Sequence, residues 1–142
     1  MTKEFLAQEQ SNAAILRLVM EAIGKGDNAT VAKYMSEHMV HENPFSGSHK
    51  GLAEVNNARK QTFIALGISK VDIKGIFAEG PTQAIALLQV HGTDASGKPW
   101  SMPAANLFEI VEGKITSLLP FYYDTGRLRE IAATRQAPAA GK

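Results

Sequence analysis

The chain contains no cysteine, which excludes a disulfide framework, a thiolate nucleophile and cysteine-ligated zinc. It also lacks an excess of either charge. Fifteen Lys and Arg stand against 14 Asp and Glu, a formal net charge of +1, so neither nucleic acid nor an anionic membrane surface is an expected partner. No apolar run is long enough to span a bilayer, and the opening MTKEFLAQEQ has no signal-peptide core, which makes the cytoplasm the expected location. Internal repeats are absent. So is any established metal-ligand motif: His38 and His41 lie three apart where the chain reads as strand, a spacing that sends their side chains to opposite faces. Neither a metal nor another cofactor is therefore expected.

What is present is the balance of an ordinary folded domain, 44% hydrophobic and 20% charged, on 142 residues, enough for one core and a modest cavity. Residues 1–135 read as a single domain. Residues 136–142, rich in Ala, Pro and Gly, read as a flexible tail. Apolar residues recur at helical spacing from Phe5 to Ile23 (Ile15, Leu18, Val19, Ala22, Ile23), and Gly24-Lys25-Gly26 supplies a stop. Asp27 or Asn28 can cap a short helix through Val31, Tyr34 and Met35. Met39 to Asn43 then reads as a brief strand closed by Pro44, with a loop from Phe45 to His49. A third helix is expected from Gly51 to Leu66, with Leu52, Val55, Ala58, Thr62, Ile64 and Leu66 as its apolar pattern and Gly67 as its stop.

The texture then changes to four β-favouring segments: Lys70–Glu79, Thr82–Gly92, Pro99–Val111 and Lys114–Tyr123. Consecutive strands joined by short turns, among them Glu112-Gly113, predict an antiparallel meander. Asp124 or Thr125 can cap a final helix containing Leu128 and Ile131. Helices first and a curved sheet afterwards make an α+β domain in which helices cover one sheet face and leave a pocket between.

Four stretches in this order, Gly26-Asp27, MVHENPFSGSHKG (Met39 to Gly51), VDIKGIFAEG (Val71 to Gly80) and NLFEIVEGKI followed by YYD (Asn106 to Asp124), resemble the SnoaL-like branch of the nuclear transport factor 2 superfamily. The resemblance covers nearly the whole chain. It implies a cone of strongly curved antiparallel sheet around N-terminal helices, an internal pocket, and homodimerisation through the sheet face. It does not imply one reaction, because the superfold hosts isomerases, cyclases, epoxide hydrolases and non-catalytic binders.

Strand alternation places His41 and Asn43 on one face and Glu42 on the other. In the related ketosteroid isomerases an aspartate precedes the equivalent proline and shuttles the substrate proton. Here that position is Asn43, which can donate a hydrogen bond but cannot take up a proton at neutral pH, or can simply cap the strand end. His41, with an ordinary imidazole, is the candidate base of the segment. Asn106 shares an apolar row with Phe108 and Ile110, near the isomerases' oxyanion-hole acid. Asp124 matches an acid–base position of the superfamily's epoxide hydrolases and is equally placed to cap the last helix. A bulge is expected near Pro120, leaving the facing of Tyr122, Tyr123 and Asp124 open.

On Thr82 to Gly92, both faces begin apolar, which predicts a strand covered on both sides with Gln89 and His91 beside the pocket or a subunit partner. Tyr34, Phe45, Trp100, Met102 and Phe108 complete the candidate lining, with Trp100 and Met102 equally readable as core. Such a lining suits a small, mainly apolar ligand with one or two oxygens. The function expected is cofactor-free proton transfer next to a carbonyl, or alternatively ligand binding without turnover or an epoxide hydrolase-like reaction.

Overall fold

In the computed structural model, which describes residues 3–140, helix α1 (Lys3–Lys25) turns Asn12, Leu16, Val19 and Ala22 inward. The helical stripe is thus rotated from the one expected, since Leu18 is 44% exposed and Leu16 is fully buried. Asn12 is fully buried as well and is satisfied locally: its Nδ2 donates to the Pro81 carbonyl and its Oδ1 accepts from Gln8. No described helix is long and apolar enough to cross a membrane.

Asp27 caps the short helix α2 (Asn28–Tyr34) by accepting from the Thr30 N–H and hydroxyl. The chain becomes extended at once. Met35, expected at the end of that helix, is the first residue of strand β1 (Met35–Asn43). The stretch expected as loop folds back as strand β2 (Gly47–Lys50), antiparallel to β1. Helix α3 (Leu52–Leu66) follows, closed by Gly67 at φ 64°, a left-handed cap that glycine adopts without strain.

Strands β3 (Ile68–Glu79), β4 (Gln83–Thr93), β5 (Pro99–Val111) and β6 (Lys114–Tyr122) form the predicted meander. Glu112 and Gly113 both have positive φ, the signature of the tight turn joining β5 to β6. The six-stranded sheet has the order β2-β1-β6-β5-β4-β3, and β1 runs parallel to β6, so the sheet is mixed rather than wholly antiparallel. Two register shifts against β4 bend β3. The bulge expected near Pro120 lies earlier, where Glu109 pairs with Ser117 and Ile110 with Ile115, leaving Thr116 unopposed.

The bent sheet curls around α1 and α3. Its concave side supplies Ala84, Ala86, Leu88 and Val90 of β4, with Met102, Ala104, Phe108 and Ile110 of β5. Phe108 alone, fully buried, contributes about 2–3 kcal/mol. The opposite face of β4 is open among the described residues: Ile85 and Leu87 are 38% and 40% exposed, so of the two coverings expected for this strand only the concave one is supplied by the chain itself. Helix α4 (Thr125–Ala140) buries Leu128 and Ile131 and continues past Gln136, where the composition predicts a frayed tail; residues 141–142 of that tail lie outside the described residues.

Candidate functional site

Between α1, α3 and the concave face lies a cavity of about 400 Å³. Apolar side chains make most of its wall: Met20 and Ile23 from α1, Val55 and Phe63 from α3, Ile73, Leu88, Val90, Phe108 and Leu118 from the sheet. Its polar groups are His41 and Asn43 from β1, Arg59 and Thr62 from α3, Ser69 and Lys70 from β3, Asn106 from β5 and Tyr122 from β6. Among the described residues no aspartate or glutamate lines it.

Alternation along β1 sets the first two. His41 and Asn43 are each 5% exposed and face inward, while Glu42 is exposed and accepts from the Ser48 hydroxyl. Asn43 is largely committed to structure: its Oδ1 accepts from the N–H groups of Phe45 (2.8 Å) and Ser46 (3.1 Å), and its Nδ2 donates to Thr62 Oγ1 at 2.9 Å. One amide hydrogen remains for a ligand. The Asx bond shapes the turn that Pro44 begins.

Among the described residues His41 Nδ1 is buried without a hydrogen-bond partner, which leaves Nε2 as the ring nitrogen for a ligand of the cavity that this residue lines. Burial chiefly holds this imidazole below its usual range, and the nearby His49 and Arg59 depress it further against a weaker opposing pull from Glu42. His41 is accordingly neutral at neutral pH. Its ring centroid is 6.3 Å from that of His49.

Tyr122 packs its ring against Phe45 (centroids 5.9 Å apart), and burial pushes its hydroxyl above the usual phenol range, so it stays an O–H donor. Asn106 reaches the cavity beside Ala104 and Phe108. Tyr123, by contrast, is 80% exposed. Asp124 lies outside the cavity: it is exposed, and its Oδ1 accepts from the Arg127 N–H at 2.9 Å as the cap of α4. Its placement as an acid–base residue is therefore corrected to a cap, because β6 ends at Tyr122 and the next turn points outward.

Six other expected lining residues also stand elsewhere, Phe45 among them, which packs on Tyr122 but is not part of the cavity wall. On the convex face Gln89 donates to Ser101 Oγ, and His91 pairs through Nε2 with Asp72 (2.9 Å), whose carboxyl is held low first by that hydrogen bond. Trp100 and Met102 are buried core; the indole N–H donates to the Leu66 carbonyl at the end of α3 (3.0 Å). Tyr34 is outside the cavity wall, beneath the Lys33 ammonium.

Arg59 was not anticipated. The inward stripe of α3 runs Val55, Ala58, Arg59, Thr62, Leu66, spacings of three and four, whereas Ile64, expected on it, is 56% exposed. Burial lowers the pKa of the guanidinium, and among the described residues it has no ion-pair partner. The signal in the sequence was an arginine placed between Val55 and Thr62 at helical intervals.

A second polar group flanks the cavity. Ser46 Oγ lies 2.7 Å from His49 Nε2, and His49 Nδ1 lies 3.0 Å from Glu54 Oε1, the order of nucleophile, base and orienting carboxylate. The N–H groups of Phe45 and Ser46, the closest along the chain to that hydroxyl, are both taken by Asn43 and so are not free to stabilise an oxyanion. These bonds tie the β1–β2 hairpin to the first turn of α3.

The model of the family described as SnoaL-like domain matches residues 16–118. No curated protein matches the chain in sequence. Among solved structures, Bal32a from a soil-derived mobile gene cassette superposes with a TM-score of 0.79 at 19% identity, over 87% of this chain and 98% of that one. A protein proposed to be a SnoaL-like polyketide cyclase, from Jannaschia sp. CCS1, gives a TM-score of 0.73 at 19% identity over 88% and 94% of the two chains. TerC, co-crystallised with polyporic acid, gives 0.75 at 14% identity over 87% and 98%. At these identities the likeness is one of fold.

Proposed function

Because the chain belongs to the SnoaL-like domain family, we propose that its cavity takes a mainly apolar small molecule and moves a proton next to that molecule's carbonyl, as cofactor-free isomerases and aldol-type cyclases do. The observation that carries this reading is a largely apolar cavity in which His41 is the one lining side chain whose ordinary pKa lies near neutrality. His41, neutral there, takes a proton at Nε2 from the carbon beside the carbonyl. The electron pair moves to the carbonyl oxygen, where the Asn106 amide, the Tyr122 hydroxyl and the free hydrogen of Asn43 Nδ2 donate to the developing enolate. Return of the proton to another carbon gives the isomer; attack of the enolate carbon on a second carbonyl turns that oxygen into an alkoxide, which takes the proton back from His41 to give the cyclised product. An epoxide hydrolase-like reaction loses support, since no carboxylate lines the cavity to activate a water.

The test is deuterium incorporation beside the carbonyl of a bicyclic ketone, 2-tetralone, in D₂O, followed by NMR with the wild type and with His41→Gln. Exchange accelerated by the wild type and lost in the variant supports the reading; no acceleration by the wild type sinks it. A second reading, binding without turnover, is favoured by one specific observation: His41 Nδ1 has no acceptor to orient the ring or to steady the imidazolium after proton uptake. Saturable ketone binding without exchange would select it.

We extend the proposal to a homodimer through the convex face. Phe77, Ile85, Leu107 and Leu119 lie in register across four strands, and Leu87, Ala105 and Phe121 form the adjoining row. Phe77 and Phe121 are 59% and 54% exposed. A monomeric mass by light scattering would reject this assembly.

A further inference from the structure

We propose that the ligand of this cavity is an organic acid, held through its carboxylate by Arg59. This rests on the cavity being a small-molecule site and names the class of molecule it takes.

Among the described residues the lining contains two cations, Arg59 and Lys70, and no carboxylate. Lys70 is occupied elsewhere: its side chain is two-thirds exposed and its ammonium lies 3.3 Å from Asp72, itself bound to His91 on the convex side. Arg59 forms no ion pair among the described residues. An arginine ordinarily carries its head group to water along a flexible stem. Here α3 points the stem inward, between Val55 and Thr62.

A guanidinium in such a place is costly without a counter-charge, and burial disfavours its charged form. A neutral ketone or ester would leave that charge uncompensated. A carboxylate would meet it with two parallel N–H···O bonds, the geometry for which the planar fork is built. The remaining lining agrees: the amides of Asn43 and Asn106 and the Tyr122 hydroxyl can donate to a second oxygen, and the neutral His41 ring does not repel an anion.

The experiment compares 2-naphthoate with methyl 2-naphthoate, the same bicyclic carbonyl skeleton with and without the charge, by calorimetry near neutral pH. The wild type is expected to bind the acid on the order of 10–100-fold more tightly than the ester. Arg59→Gln should remove that preference by weakening the acid while leaving the ester within about threefold; Arg17→Gln, on the exposed side of α1, should change neither. Equal affinity of the wild type for acid and ester overturns this proposal while leaving the cavity a ligand site. Retention of the acid preference in a folded Arg59→Gln protein overturns it too. Binding of neither compound overturns the ligand-site reading and this proposal with it.

Discussion

Replacing Arg59 with methionine should stabilise the ligand-free protein. The guanidinium lies against a largely apolar wall, without an ion pair among the described residues, and its charged form is disfavoured there. Removing a charge wholly from water costs several kcal/mol after relaxation, but Arg59 is only half-buried, so only a fraction of that cost, about 1–2 kcal/mol, is recoverable. Methionine keeps much of the length of the stem on the same inner stripe of α3 as Val55 and Thr62. For 142 residues the unfolding entropy is about 0.3 kcal/mol/K, so the melting temperature should rise by about 3–6 °C. The assay is calorimetric melting in a buffer free of carboxylate and phosphate, since an anion bound by the wild type alone would mask the effect. Adding 2-naphthoate at one hundred times its dissociation constant should then stabilise the wild type by about 2.7 kcal/mol and the variant little, reversing their order. A methionine variant that melts at or below the wild type without ligand would refute the reasoning, because it would mean that the guanidinium is already compensated.

Acid pH should weaken the fold through His41. Its folded imidazole is depressed below the ordinary 6.5, so the unfolded chain binds the proton first: stability declines as the pH falls below 6.5 and the decline ends once the folded value is passed. Denaturant titrations across that window should show a shallower slope for His41→Gln, whereas the further loss below pH 3.8, from the depressed carboxyls of Asp27, Asp72 and Asp94, should persist. Gly92→Ala should cost about 2–4 kcal/mol, because a Cβ there would sit 2.5 Å from the Trp100 ring and displace the indole from the Leu66 carbonyl; a shifted urea midpoint followed by tryptophan emission checks it. Asp124→Ala should lower stability by about 0.5–2 kcal/mol, with Asp124→Asn nearly neutral, and neither should change deuterium exchange into 2-tetralone; a loss of exchange in both would return Asp124 to the chemistry.

The alternation that puts His41 and Asn43 inward and Glu42 outward is a property of any strand, and so it was legible in six residues of sequence. The same parity separated Phe108 from Glu109 correctly. It could not say which face of β4 would be left open, because that depends on what covers the sheet rather than on β4 itself. Asp124 was ambiguous for a different reason: whether it faces the cavity or caps α4 turns on whether β6 ends at Tyr122 or a residue later. Arg59 escaped notice because a long cationic side chain on a helix defaults to the solvent face, and only the packing of α3 against the sheet shows that this one is on the inner stripe. The parallel pairing of β1 with β6 joins segments too far apart for any local pattern to reveal.

That parallel seam also orders events in time. The β3–β4, β4–β5 and β5–β6 hairpins join neighbours in sequence, but β1 reaches β6 only after the whole stretch 44–113 has been closed into a loop. His41 rides on β1 and Tyr122 on β6, so the cavity's wall is completed by the strand pairing with the greatest separation along the chain. During refolding, capture of 2-naphthoate should therefore recover with the slowest phase, well after the meander has acquired its circular dichroism.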